Sequence, residues 1–272
     1  MKLQDLFSVD SMVTVITGGA SGIGYACAEA MADNGAVVTI VDRDADGIAK
    51  AVAALKANGG QAFGEVADVT DKAALERAFD AVARRHGRID VVFANAGISG
   101  GPGFLDTENK RDPARALEAL PDELWDRVMA VNLTACFHTL QIAARHLKTA
   151  GGGRIVVTSS VSATKVEQYV GTVYVTSKAG VAQLVRQAAI ELARYNIRVN
   201  AIAPGPCVTN IGGGRLQDQA AQAFFGRLHP SRRMAKPEDM QGAALYLASR
   251  ASDHVTGAHI LIDGGFTLGV AD

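Results

Sequence analysis

Seven short runs rich in valine and isoleucine recur along the chain, separated by longer stretches with helical spacing. They cover residues 12–17 (MVTVIT), 36–41 (AVVTIV), 61–66 (QAFGEV), 89–94 (IDVVFA), 154–159 (RIVVTS), 197–203 (IRVNAIA) and 259–262 (HILI). Apolar runs without polar alternation suit parallel strands buried on both faces. The segments between them, such as YACAEAMADN, DGIAKAVAALKAN and KAALERAFDAVARRH, are alanine-rich and helix-periodic. This alternation predicts an α/β fold: a Rossmann-type doubly wound sheet of about seven parallel strands, with right-handed crossovers placing helices on both faces. No linker rich in proline, serine or charge divides the 272 residues and no internal repeat appears, so a single domain over 1–272 is expected.

Composition narrows the partners. Hydrophobic residues make up 48% and charged residues 20%, which fits a soluble protein with a large core. A net charge of −1 gives no reason to expect nucleic acid or an anionic membrane as partner. Cys27, Cys136 and Cys207 are far apart and lack metal-ligand spacing, so they read as buried or free thiols in a reducing compartment, and no metal site is expected. The opening MKLQDLFSVDSM lacks the apolar stretch of a signal peptide, and no apolar run is long enough to span a bilayer. A cytoplasmic location is expected.

Two stretches depart from the alternation. Residues 98–120 form a long polar insert after the fourth run, and residues 206–234 another after the sixth. Long irregular segments in a compact domain tend to be lids or binding loops. Both follow strand carboxyl ends, the edge where open α/β sheets bind ligands.

The turn TGGASGIG, residues 17–24, follows the first strand and opens a helix. Its glycines let the backbone turn tightly beside a diphosphate, and the helix N-terminus offers amide donors. The spacing of Gly18, Gly22 and Gly24 differs from the usual G-x-G-x-x-G, and Ser21 and Ile23 complete the turn. Asp42, at the end of the second strand, lies near the expected distance of about 20 residues. A carboxylate there accepts from both ribose hydroxyls of an adenosine and repels a 2′-phosphate. Arg43 follows it as a possible phosphate contact, while Ser21 stands where a second basic residue would help a phosphorylated cofactor. NAD is therefore preferred over NADP.

The run YVTSK places Tyr174 and Lys178 four residues apart, on one face of a helix. An ammonium near a phenol favours the phenolate and is expected to lower the tyrosine pKa toward a range usable for proton transfer. Tyr169 competes for the role, but Val173, not a lysine, lies four residues on.

With these residues in hand, the chain resembles the classical short-chain dehydrogenase/reductase family over roughly residues 8 to 266. TGGASGIG is similar to the family's cofactor turn, and Asp68-Val69 to the loop beside the adenine. Asn95-Ala96-Gly97 resembles the N-A-G element after the fourth strand. Pro204-Gly205, with Cys207 and Thr209 following, resembles the loop that holds the nicotinamide carboxamide. Asp263-Gly264-Gly265 is similar to the usual ending. The resemblance implies a catalytic tetrad of Asn132, Ser160, Tyr174 and Lys178. Tyr174 would exchange the proton of a substrate alcohol while hydride moves to or from the nicotinamide. Lys178 would lower the tyrosine pKa and hold the nicotinamide ribose. Ser160 would hydrogen-bond the substrate oxygen, and Asn132 would help hold a water beside the lysine. Ser159 and Ser162, in the same run TSSVSA, remain alternatives to Ser160. The gap from Ser160 to Tyr174 is about one residue longer than the family usually shows, which is read as an insertion in KVEQYVG; an insertion placed elsewhere would favour Ser162. The resemblance also implies a homo-oligomer, a tetramer or a dimer, assembled around a two-fold axis.

Substrate choice is expected from the variable loops. Val161, Ser162, Gln168 and Pro206 are candidate lining residues beside Ser160, and Phe224 and Phe225 offer apolar closure to the 206–234 segment. Gly212-Gly213-Gly214 gives that segment a hinge, and Arg215, Arg227, His229, Arg232 and Arg233 give it positive character. The leading reading is an NAD-dependent oxidoreductase that interconverts a secondary alcohol and a ketone. The alternatives are an NADP-preferring carbonyl reductase, another reaction on the same scaffold such as epimerisation or dehydration, and a dinucleotide-binding sensor or scaffold without turnover.

Overall fold

Each of the seven apolar runs forms a strand, and all seven join one parallel sheet. The computed structural model describes residues 2–269. The expected span of 1–272 extends past this range at both ends. The strands are β1 Val13–Thr17, β2 Val37–Asp42, β3 Gln61–Val66, β4 Val91–Ala94, β5 Gly153–Thr158, β6 Ile197–Pro204 and β7 His259–Ile262. They are ordered β3-β2-β1-β4-β5-β6-β7. The chain winds outward from β1 to β3, returns to the other side of β1 at β4, and winds outward again. That reversal leaves a crevice beyond the carboxyl ends of β1 and β4, where such sheets bind ligands.

The helices are α1 Leu3–Leu6, α2 Gly22–Asp33, α3 Ala45–Ala57, α4 Lys72–His86, α5 Asp122–Met129, α6 Ala135–Thr149, α7 Thr172–Leu192, α8 Gln219–Arg227 and α9 Gln241–Ala248. Successive strand residues feed opposite faces. Val15, Val92 and Ile155 pack with Phe79 of α4, Leu147 of α6 and Val185 of α7. Ile16, Phe93 and Val156 pack with Met31 of α2, Leu55 of α3 and Leu247 of α9. Burial on both faces explains why the strands lack polar alternation.

Caps fix the helix starts. The Asp44 carboxylate accepts from Gly47 N and that of Asp71 from Ala74 N, each at 3.0 Å. Gly87 closes α4 in the left-handed region. Pro237 opens a 3₁₀ turn, Pro237–Met240, and the α-helical part of that segment begins only at Gln241. Of the two long inserts, 98–120 has only short 3₁₀ turns, whereas 206–234 contains α8. The three cysteines are free and buried. Among the described residues no helix is long and apolar enough to cross a membrane.

Candidate active site

A cleft of about 500 Å³ opens at the sheet's switch point. The turn between β1 and α2 forms its floor. Gly18 there has φ +65°, a conformation that a side chain disfavours. Gly24 packs so closely that a Cβ would lie 2.1 Å from Gly18 O and 2.4 Å from Asn95 Nδ2. Asn95 braces the turn: its Nδ2 donates to Thr17 O and Gly18 O at 3.2 and 3.0 Å, and its Oδ1 accepts from Thr158 Oγ1 at 2.9 Å. One side chain thus ties together the ends of β1, β4 and β5.

The expected cofactor residues gather around this floor. Gly18, Ser21, Gly22 and Ile23 line the cleft, as do Asp42, Arg43, Asp68 and Val69. Asn95, Ala96 and Gly97 form its middle, and Pro204, Gly205, Cys207 and Thr209 the opposite wall. Gly24 lies behind the turn and acts through close packing. Asp42 accepts from Ala20 N at 3.3 Å and from Asp44 N at 3.2 Å, which holds its carboxylate at the turn. Hydrogen bonds from the Thr70 amide and hydroxyl hold Asp68 below the ordinary carboxylate range. Burial pushes the Cys207 thiol up to about 12, so this cysteine is a wall rather than a nucleophile.

These residues fit a dinucleotide. The turn leaves no room for side chains where a diphosphate must approach, and an acid stands at the ribose end.

The other half of the cleft comes from β5 and α7. Ser160 follows β5, and its hydroxyl lies near enough to Tyr174 to favour the phenolate. Ser160 Oγ also donates to Ser162 Oγ and accepts from Ser162 N, both at 3.1 Å. Of the two serines, Ser160 is the one that acts on the tyrosine, whereas the Ser162 hydroxyl donates to Glu167. Ser159 is buried, and its hydroxyl finds no partner. Tyr174 is half-buried on the first turn of α7, and Lys178 lies one turn on, with Nζ 5.6 Å from the phenol ring centre. Lys178 Nζ donates to Thr158 O at 2.9 Å.

The expected lowering of the Tyr174 pKa does not occur in this geometry. Burial pushes it up to about 12, the Ser160 hydroxyl works the other way, and the charge of Glu167 adds to the rise. Lys178 is itself buried, and desolvation pulls it down to about 8. Desolvation is the largest cause of both shifts.

Asn132 does not line the cleft. It sits in a π-turn, Ala130–Thr134, between α5 and α6, and is 1% exposed. Its Oδ1 accepts from Ile98 N at 2.8 Å, and its Nδ2 donates to Ile98 O at 3.0 Å and to Ser177 Oγ at 3.1 Å. The side chain is thus spent on clamping the chain after β4 to α7. Such π-turns often occur at functional sites.

The substrate end differs from expectation in detail. Val161, Ser162 and Pro206 line the cleft. Gln168 does not: it is exposed, and its neighbours Glu167, Tyr169 and Val170 face inward instead. Tyr169 donates to Asn109 Oδ1 at 2.7 Å and meets Phe224 and Phe225 edge-on, so it is an anchor for α8. Of the cationic residues in the 206–234 segment, Arg215 reaches the cleft. His229 is buried outside it, bonded to Phe225 O and stacked on Phe266. The 98–120 and 161–170 loops interlock. Pro102 bridges Val170, a Cβ on Gly103 would lie 2.1 Å from Gln168 O, and one on Gly171 would lie 2.5 Å from Gly100 O.

Fold and cleft together define an α/β oxidoreductase built for a dinucleotide. Comparison with known proteins makes the class specific. The family model described as enoyl-(acyl carrier protein) reductase matches residues 18–267. The chain is 34% identical to 5-keto-D-gluconate 5-reductase of Escherichia coli, over 98% of this chain and 100% of that protein. It is 36% identical to D-threitol dehydrogenase of Mycolicibacterium smegmatis, over 96% and 95% respectively. A short-chain type dehydrogenase/reductase from Mycobacterium marinum superposes with a TM-score of 0.88 at 34% identity, covering 98% of this chain and 99% of that one. The chain belongs to the short-chain dehydrogenase/reductase family, whose members bind a nicotinamide dinucleotide and act on alcohol or ketone groups.

Proposed function

We propose that this protein is an NAD-dependent oxidoreductase that interconverts a secondary alcohol and a ketone, with Tyr174 as general acid and base. The reading is carried by one juxtaposition: a glycine turn with an acid at its ribose end faces Ser160, Tyr174 and Lys178 across the same cleft. When bound, the nicotinamide supplies or takes up the hydride. Tyr174 Oη gives its proton to the carbonyl oxygen in reduction and takes it from the hydroxyl in oxidation. Its raised pKa keeps the phenol protonated at neutral pH, which suits donation; oxidation needs the phenolate. Ser160 turns its hydroxyl toward the substrate oxygen as charge shifts there. Lys178, largely protonated at neutral pH, holds the nicotinamide ribose and opposes loss of charge balance when the phenolate forms. Asn132 is a positioning residue: it clamps the Ile98 peptide to Ser177, the residue before the lysine.

Asp42 supports NAD by accepting from ribose hydroxyls and repelling a 2′-phosphate. NADP is the second reading, because Arg43 lines the same part of the cleft. A homo-oligomer in the cytoplasm completes the proposal. Steady-state turnover of an alcohol and ketone panel with each coenzyme tests it, with Tyr174→Phe alongside. We expect higher kcat/KM with NAD, and a variant that binds NADH normally but loses at least about a hundredfold in kcat. Near-normal turnover by the variant refutes the role of Tyr174, and higher kcat/KM with NADP refutes that of Asp42.

A further inference from the structure

Glu167 stands in the cleft and bears on the hydride transfer only through the charge it places near Tyr174. It lies in the 161–170 loop between β5 and α7 and is 8% exposed. Its Oε1 accepts from Ser162 Oγ at 2.5 Å. Ser162 Oγ in turn takes the Ser160 hydroxyl at 3.1 Å. Among the described residues this is the carboxyl's one hydrogen bond, which leaves Oε2 unpaired in a residue that lines the cleft. The neighbouring cation, Lys165, is engaged elsewhere: its Nζ donates to Phe266 O at 2.7 Å and sits 3.6 Å from the Phe266 ring centre.

A buried carboxylate with one neutral donor is poorly solvated. Burial raises the Glu167 pKa despite the Ser162 hydrogen bond and the Lys165 charge. Further donors would stabilise it, and the cleft side is where they can arrive.

We infer that Glu167 determines specificity by accepting a hydrogen bond from a second substrate hydroxyl, on the carbon next to the reacting one, so that the substrates are vicinal diols or polyols and the matching hydroxyketones. The inference rests on Ser160 and Tyr174 holding the reacting oxygen. From there, Glu167 is farther along the wall by the width of one hydroxyl, that of Ser162. The neighbouring carbon's oxygen comes into reach at that spacing. Because Ser162 spends its proton on Glu167, this edge offers acceptors, so the substrate must bring the donor. A substrate with a plain methylene there would bury the carboxylate without a new partner. Sites built around a substrate hydroxyl discriminate strongly against analogues that lack it.

Kinetics with 2,3-butanediol and 2-butanol, each with NAD, test the inference in the wild type, Glu167→Gln and Glu167→Ala. Melting shifts of each protein with NADH and either alcohol, read beside the kinetics, report folding and binding without turnover. We expect the wild type to favour the diol by roughly 10- to 100-fold in kcat/KM. Glu167→Ala should remove that preference mainly by losing activity on the diol, and Glu167→Gln, whose amide oxygen still accepts, should retain part of it. Equal use of both alcohols by the wild type, or a preference that survives Glu167→Ala, overturns the inference while leaving the proposed function intact. If neither alcohol is oxidised, the reading of the reaction is what fails. The melting shifts then decide for Glu167: a diol-specific shift lost in Glu167→Ala upholds the site, and equal or absent shifts overturn it.

Discussion

Removing the Lys178 charge should stabilise the protein while abolishing its chemistry. Lys178 is 3% exposed, and desolvation lowers its pKa from 10.5 to about 8. Between these two values the unfolded chain holds more protons than the folded one, so this group makes stability rise with pH across the window. The shift corresponds to about 3 kcal/mol, carried in full as a cost below pH 8. Lys178→Met keeps an apolar stem and removes the ammonium. It also removes the hydrogen bond to Thr158 O, a loss of about 1 kcal/mol that does not vary with pH. At neutral pH the variant should therefore be more stable by about 2 kcal/mol, although inactive. Guanidinium unfolding of both proteins between pH 7 and 10.5 measures the difference. The wild type should gain about 3 kcal/mol on the variant over that range. Parallel curves would refute the reasoning, because they would mean that folding leaves the basicity of Lys178 unchanged.

Gly24→Ala should lower stability by about 1–3 kcal/mol and weaken NADH binding, because the Cβ has no space beside Gly18 O. NADH fluorescence titration and a melting curve check this, and unchanged NADH affinity would refute the close-packing argument. Ser160→Ala should cost roughly 10²–10³ in kcat, as loss of an oxyanion donor does. Ser162→Ala should cost less, and a larger loss there would reassign the working serine.

The fold was legible because its signals are local. Val13–Thr17, Val37–Asp42 and the other strands declare themselves through apolar runs, and the Gly18–Gly24 turn lies directly between strand and helix. Tyr174 and Lys178 were readable for the same reason, being one helical turn apart. What depends on packing was not. The direction of the Tyr174 pKa followed from how much protein surrounds it, which spacing does not reveal. In the 161–170 loop, no periodicity says which side chain turns inward, and Gln168 points out where Glu167 points in. The available signal was a lone acid a few residues after Ser160. The order of Ser160 and Ser162 needed the hydroxyl geometry. Asn132 was identified as part of the centre, but its amide is occupied by the Ile98 peptide, a contact 34 residues distant in sequence.

The interlocked loops bear on how new specificities can arise on this scaffold. Gly103 and Gly171 each lie against backbone of the opposite loop, so neither loop has a shape of its own. A grafted 161–170 segment would meet a 98–120 segment moulded to a different neighbour. Transplants that exchange both segments as one cassette should fold, whereas single-loop chimaeras should lose the wall that carries Glu167. Reshaping the backbone of this wall is then a matter of paired inheritance, whereas single side chains on it can still change one at a time.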